Sequence, residues 1–158
     1  MHKYTLTEET KQVGSKKLYR IKALKDFGSV KEGDLGGFIE SEKNLSKEWN
    51  CWVRGNAQVS GNAQVSGDAR VSGDAQVSGN AWVFGSAQVY VSPINIIGLK
   101  YNITAYCDYL QIGCQGHTFE QWSKFSDEEI GDMGEGALDW WNKNKTLVLS
   151  LEQTLNSH

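Results

Sequence analysis

The residues in this 158-residue chain best suited to chemistry are its three histidines and three cysteines. His117 is the one histidine away from the termini, where His2 and His158 would fray. A positioned imidazole is a common general base in group transfer, so any transferase reading runs through His117. Cys114 stands three residues before it and Cys107 ten before it. Soft sulfur and imidazole ligands at such spacing suit zinc, with Asp108 or Glu120 as a fourth ligand. No second Cys-x-x-Cys or histidine pair accompanies them, so the plainer reading is preferred: both cysteines as small buried hydrophobes and His117 hydrogen-bonded near a helix start. No metal and no cofactor are expected. An odd cysteine count and the lack of a signal-peptide core at MHKYTLTEETKQ fit reduced thiols in the cytoplasm. No apolar run is long enough to span a membrane.

Charge is divided along the chain. Residues 1–31 carry eight Lys or Arg against three acids, and 119–139 carry seven acids against Lys124 alone. Lys16, Lys17, Arg20, Lys22 and Lys25 around Tyr19 could form a nucleic-acid patch, but the net charge of −3 and the lack of a stacking motif make a solvated face the better reading. Direct nucleic-acid binding is therefore not expected. The acidic run Asp127, Glu128, Glu129, Asp132, Glu135 (with Asp139 beyond it) is either soluble surface or a docking face.

The element that must position all of this is a repeat. From Val53 the chain reads VRGNAQ-VSGNAQ-VSGDAR-VSGDAQ-VSGNAW-VFGSAQ-V, with valine, glycine and alanine each returning every six residues. One short strand and one glycine corner per hexapeptide, three to a coil, predict a left-handed parallel β-helix with valine and alanine inside. Residues eighteen apart should then stack, placing Gln58 by Gln76, Gln64 by Trp82, Ser66 by Phe84 and Ser72 by Tyr90. Trp82, Phe84 and Tyr90 interrupt an otherwise polar exterior. They are expected under the C-terminal segment, under a second protomer, or on a partner.

Three segments follow: an N-terminal cap over 1–52, the β-helix over 53–91, and a C-terminal part over 92–158. In the cap, KKLYRIKALKDF predicts a strand, Gly33-Asp34 and Gly36-Gly37 predict turns, and Leu35, Ile39 and Leu45 continue an inward step. Beyond Val91, YNITAYC and YLQIGC predict a hairpin turning at Cys107-Asp108. Thr118 to Gln121 and Ser126 to Glu129 match capping boxes, and 137–152 predicts a last helix covering the end of the prism. The fold class is mainly β with an α C-terminal part.

The stretches LYRIKALKDFGSVKEGDLGGFIE, NLSKEWNCWV and LQIGCQGHTFEQWSKFSDEEI, together with the repeats, resemble the small hexapeptide-repeat proteins of phages and prophages, often labelled polymer-forming or transferase-like. The resemblance implies the fold and a phage setting but no catalytic residues. The best-known enzymes on the fold are acyltransferases, which need a histidine near a subunit boundary and usually an extruded loop. Residues 53–89 contain neither. Three converging zinc-binding histidines and outward threonine ladders are also lacking, which sets aside carbonic-anhydrase-like and ice-binding roles.

The expectation is accordingly a non-enzymatic, phage-encoded module that docks on a host protein in the host cytoplasm. The concrete form is inhibition of a defence nuclease, as anti-CRISPR-type proteins do. Trp82, Phe84, Tyr90, Asp127, Glu128, Glu129, Asp132 and Glu135 are its expected binding residues, with self-association into a trimer or dimer. The alternative is an acyltransferase-like enzyme using His117.

Overall fold

Seven valines spaced by six must all find the same interior, and in the computed structural model, which describes residues 2–157, they do. Val53, Val59, Val65, Val71, Val77, Val83 and Val89 are at most 1% exposed. Alanines 57 to 87 of the same period are buried with them. Each fully buried valine contributes about 1.5–3 kcal/mol, so the period supplies the cohesion of the coil. His158 lies outside the described residues.

Each hexapeptide makes one two-residue strand: β4 (Trp52–Val53), β5 (Gln58–Val59), β6 (Gln64–Val65), β7 (Arg70–Val71), β8 (Gln76–Val77), β9 (Trp82–Val83) and β10 (Gln88–Val89). They pair in parallel with the strand eighteen residues on, as in Gln58 with Gln76, Gln64 with Trp82 and Arg70 with Gln88. Coil-to-coil hydrogen bonds such as Gln64 N–H to Ala81 O (3.0 Å) and Arg70 N–H to Ala87 O (2.8 Å) complete the ladders. The corners need left-handed backbone, and the six repeat glycines from Gly55 to Gly85 supply it with φ between 59° and 67°. The result is a hexapeptide-repeat β-solenoid. It falls short of the expected closed parallel prism, because its sheets are mixed and do not close into one wall.

The mixing comes from the N-terminal part. β1 (Tyr4–Val13) and β2 (Lys16–Ala23) form an antiparallel hairpin joined to β3 (Leu35–Ile39), which in turn pairs in parallel with β5. Sequence reasoning found β2 but not β1, whose residues between Leu6 and Val13 are polar and mostly exposed. Two further expectations are corrected. Gly36 and Gly37 form no turn but lie inside β3, where a Cβ would come within 2.6 Å of the Val53 and Ala57 carbonyl oxygens, closer than packed atoms allow. Leu35 does not point inward: it is 57% exposed.

Open coil ends leave carbonyls without donors, and three buried side chains from outside the repeat supply them. Asn44 Nδ2 donates to Gly61 O and Ala63 O, while its Oδ1 accepts from Ser41 N–H. Tyr4 donates to Leu45 O, and Lys3 to Cys51 O at 2.9 Å.

The chain divides into two compact units, Met1–Pro93 and Ile94–His158. The second is a four-stranded antiparallel meander, β11 (Ile94–Ile96), β12 (Ile103–Tyr106), β13 (Tyr109–Ile112) and β14 (Gln115–Thr118), followed by α1 (Phe119–Lys124), α2 (Asp127–Asp132) and α3 (Ala137–Asn156). The hairpin turns at Cys107, whose φ is +53°. Both capping boxes form, at Thr118 with Gln121 and at Ser126 with Glu129. The apolar face of α3 is taken up in this unit's own core, where Trp140, Trp141, Val148, Leu151 and Leu155 pack with Ile103, Leu110, Phe119 and Trp122. Among the described residues, no helix is long and apolar enough to cross a membrane.

Candidate functional site

His117 is set by local sequence. Strand β14 pairs it with Leu110 on β13, and the next residue, Thr118, caps α1. His117 thus occupies the position before the cap, and Trp122 the fourth position of the helix, the pair that forms a hydrophobic staple. The rings do meet, edge to face with centroids 5.3 Å apart, and Phe125 packs beside Trp122, 4.9 Å from His117 and 5.5 Å from Trp122. Trp122 is itself locked by its indole N–H, which donates to Leu110 O at 2.7 Å. The expected hydrogen bond to His117 is absent among the described residues; aromatic edges hold the ring instead.

Two aromatic neighbours and partial burial have an electrostatic consequence. Desolvation disfavours the imidazolium, so His117 titrates below the ordinary histidine value. At neutral pH the ring is therefore uncharged and able to take a proton. No carboxylate is hydrogen-bonded to it among the described residues, so its orientation is steric rather than set by a dyad.

The cysteines occupy other places. Cys107 lies in the β12–β13 turn and Cys114 in the β13–β14 turn, at opposite ends of a four-residue strand. At about 3.4 Å per residue that separation exceeds what one zinc ion spans. Cys114 is exposed rather than the buried hydrophobe expected, and Cys107 is half-buried. Among the described residues no three His, Cys, Asp or Glu side chains converge on a metal position.

The residues expected to bind a partner fall in two groups, one in each unit. On the solenoid, Trp82 is 45% and Tyr90 62% exposed, and Trp82 meets Phe84 edge to face at 6.1 Å. Trp82 also donates from Nε1 to Gln64 Oε1 at 3.2 Å, so the eighteen-residue ladder survives the change from Gln to Trp. In the second unit, Asp127, Glu128 and Glu129 form the first turn of α2, where carboxylates suit the helix dipole. Glu129 is engaged by Ser126 N–H at 2.8 Å, which lowers its pKa; Asp132 and Glu135 are exposed. The basic run is partly structural too. Arg20 pairs with Glu9 at 2.9 Å and lies over the Phe38 ring.

Sequence reasoning missed a cavity of about 80 Å³ in the second unit, walled by Tyr101, Trp122, Met133, Trp140 and Trp141. Its walls come from four separate elements and connections, so no local motif announces it.

Comparison with known proteins bears on the repeat. The family described as YdcK Beta solenoid repeat matches residues 63–76 and 75–90. A curated relative, "Uncharacterized acetyltransferase YdcK" of Escherichia coli (strain K12), is 41% identical over 61 residues, covering 34% of this chain and 19% of the relative. The chain thus spans about a fifth of the length of the curated relative it matches. These matches overturn the expectation of a non-enzymatic, anti-CRISPR-type inhibitor and favour the transferase-like alternative. The repeats between Ala63 and Tyr90 are similar to those of the YdcK β-solenoid family.

Proposed function

We propose that the chain is an acyltransferase-like β-solenoid protein in which His117 acts as general base. The observation that carries this is the neutral, partly desolvated imidazole of His117, packed against the paired rings of Trp122 and Phe125 with no side-chain hydrogen bond to it among the described residues. The relative's printed name, an acetyltransferase, supports the reaction class. In the reaction, a hydroxyl or amine acceptor loses its proton to the imidazole as its oxygen or nitrogen attacks the carbonyl of an acyl thioester. The new ester or amide bond forms, the carbon–sulfur bond breaks, and the imidazolium returns its proton to the departing thiolate.

The same reading takes the coil as left-handed, the hand of the hexapeptide-repeat acyltransferases. It also has the chain self-associating, with Trp82, Phe84 and Tyr90 turned toward a second copy. The test is thiol release from acetyl-coenzyme A in the presence of amine and sugar acceptors. Wild type is expected to turn over and His117→Phe, which keeps an aromatic ring against Trp122 and Phe125, to lose at least about a hundredfold with oligomer mass unchanged. Equal rates in the two proteins overturn the assignment.

A further inference from the structure

The chain has three arginines, and two of them break the hexapeptide repeat. Arg54 stands where later repeats have Ser60, Ser66, Ser72 and Ser78, and Arg70 where other repeats have Gln58, Gln64, Gln76 and Gln88. The pairing of β4 with β7 brings both exceptions to one wall of the solenoid, with Trp52 beside Arg70. The connection between β2 and β3 crosses the same wall. Gly28 and Ser29 are the centre of a tight turn there, closed by hydrogen bonds between Phe27 and Val30, and Phe27 packs edge to face on Trp52 at 5.3 Å. This brings Ser29 to the two arginines: its Oγ accepts from Arg54 Nη2 at 2.7 Å and from Arg70 Nη1 at 2.6 Å.

Two like charges sharing one neutral oxygen repel each other, and nothing nearby neutralises them. Among the described residues no carboxylate lies within ion-pair distance of Arg54 or Arg70, whereas Arg20 has Glu9 at 2.9 Å. Bracing a turn takes one neutral donor. Each guanidinium has five N–H groups and gives one of them to Ser29, so most of the donors at this point are unspent. A carboxylate has one charge and two oxygens, enough for one planar fork. The double charge and three terminal oxygens of a phosphate monoester match two forks. An open cleft of about 300 Å³ begins at Ser29 and Arg54, with Leu35 and Trp52 in its walls, and gives the ester group room. Asp34 supplies the one carboxylate of that lining; its Oδ2 accepts from Lys31 N–H at 2.9 Å, and it remains an acceptor for hydroxyls on the ester group.

We propose that Arg54, Arg70 and Ser29 form a binding site for a phosphate monoester, the two guanidinium forks closing on its terminal oxygens and the Ser29 hydroxyl donating to one of them. The site does not depend on the transfer reading. The full-length chain, labelled with ¹⁵N at arginine, gives one Nε–H signal for each arginine and is titrated with glycerol phosphate and with acetate at constant ionic strength. Glycerol phosphate is expected to shift the Arg54 and Arg70 signals saturably with a millimolar Kd while ion-paired Arg20 stays in place, and acetate to bind at least about tenfold more weakly. Arg54→Ser and Arg70→Gln restore the residues the repeat itself carries at those positions, so the coil accepts both. Each should weaken glycerol phosphate about five- to tenfold, with hydrogen exchange at the Gln64 amide unchanged. No saturable shift by about 50 mM glycerol phosphate, an Arg20 signal that moves with the other two, acetate binding as tightly, or an Arg70→Gln protein that binds like wild type would each overturn the site.

Discussion

Two glycines with the same backbone angle but different surroundings give a direct test of how the coils are spaced. Gly67 and Gly79 have φ of 67° and 65°. A Cβ on Gly79 meets nothing within 4 Å, whereas one on Gly67 lies 2.9 Å from Gly85 N and 3.0 Å from Gly85 O. Alanine in left-handed backbone costs about 1–2 kcal/mol, partly offset by about 0.4–1 kcal/mol from a less flexible unfolded chain. Gly79→Ala should therefore cost about 1 kcal/mol. Gly67→Ala carries that strain and also pushes against the backbone of the next coil, an overpacking of about 1–3 kcal/mol. Its total is about 2–4 kcal/mol.

With two units in the chain, global unfolding mixes signals, so the assay is native-state hydrogen exchange at Gln64 and Arg70. Their amides donate across coils on either side of the Gly67 corner. Asparagine separates the two costs, since it tolerates left-handed backbone but has a Cβ. Gly79→Asn should be nearly neutral, and Gly67→Asn should keep the steric loss. If Gly67→Ala and Gly79→Ala prove equally destabilising, the coils do not sit at the spacing described and the reasoning fails.

Other outcomes follow from particular side chains. Asn44→Leu leaves the Gly61 and Ala63 carbonyls and Ser41 N–H without their partner, and should cost about 2–4 kcal/mol, read by native-state hydrogen exchange in the solenoid. Thr118→Ala removes the cap of α1 and should cost about 1 kcal/mol, read as faster exchange at Gln121 N–H. His117 titrates below 6.5 in the folded chain, so its contribution to stability is complete above that pH and is lost as pH falls through 6.5 toward the folded value. Melting temperature should thus fall more steeply between pH 7 and 5 in wild type than in His117→Phe. If His117 is the base, the acid limb of the transfer rate should have its midpoint below 6.5 as well.

The solenoid was legible because valine, alanine and glycine mark one period, and each has a reason to occupy its place. Strand β14 was not legible. Its residues, Gln115 to Thr118, carry no apolar alternation, and their strand character comes from pairing with Tyr109–Ile112. β1 escaped for a similar reason, being held by β2 on a polar stretch. In the site, Thr118 and Gln121 signalled the helix start, and the staple of His117 on Trp122 was readable from the same spacing had it been sought. The cavity was not readable, since its walls are distant in sequence and meet only through tertiary packing.

Every ladder in the solenoid finds its neighbour eighteen residues on, and this makes the coil a counting device. A gain or loss of three hexapeptides between Val59 and Val77 would again lay valine over valine and change the length of the stack by one layer, about 4.8 Å. A gain of one or two hexapeptides would preserve the inward pattern but turn all that follows onto a different face. Lineages of this chain should therefore drift in length by whole coils, with intermediate lengths removed because they redirect the tail rather than because they unfold.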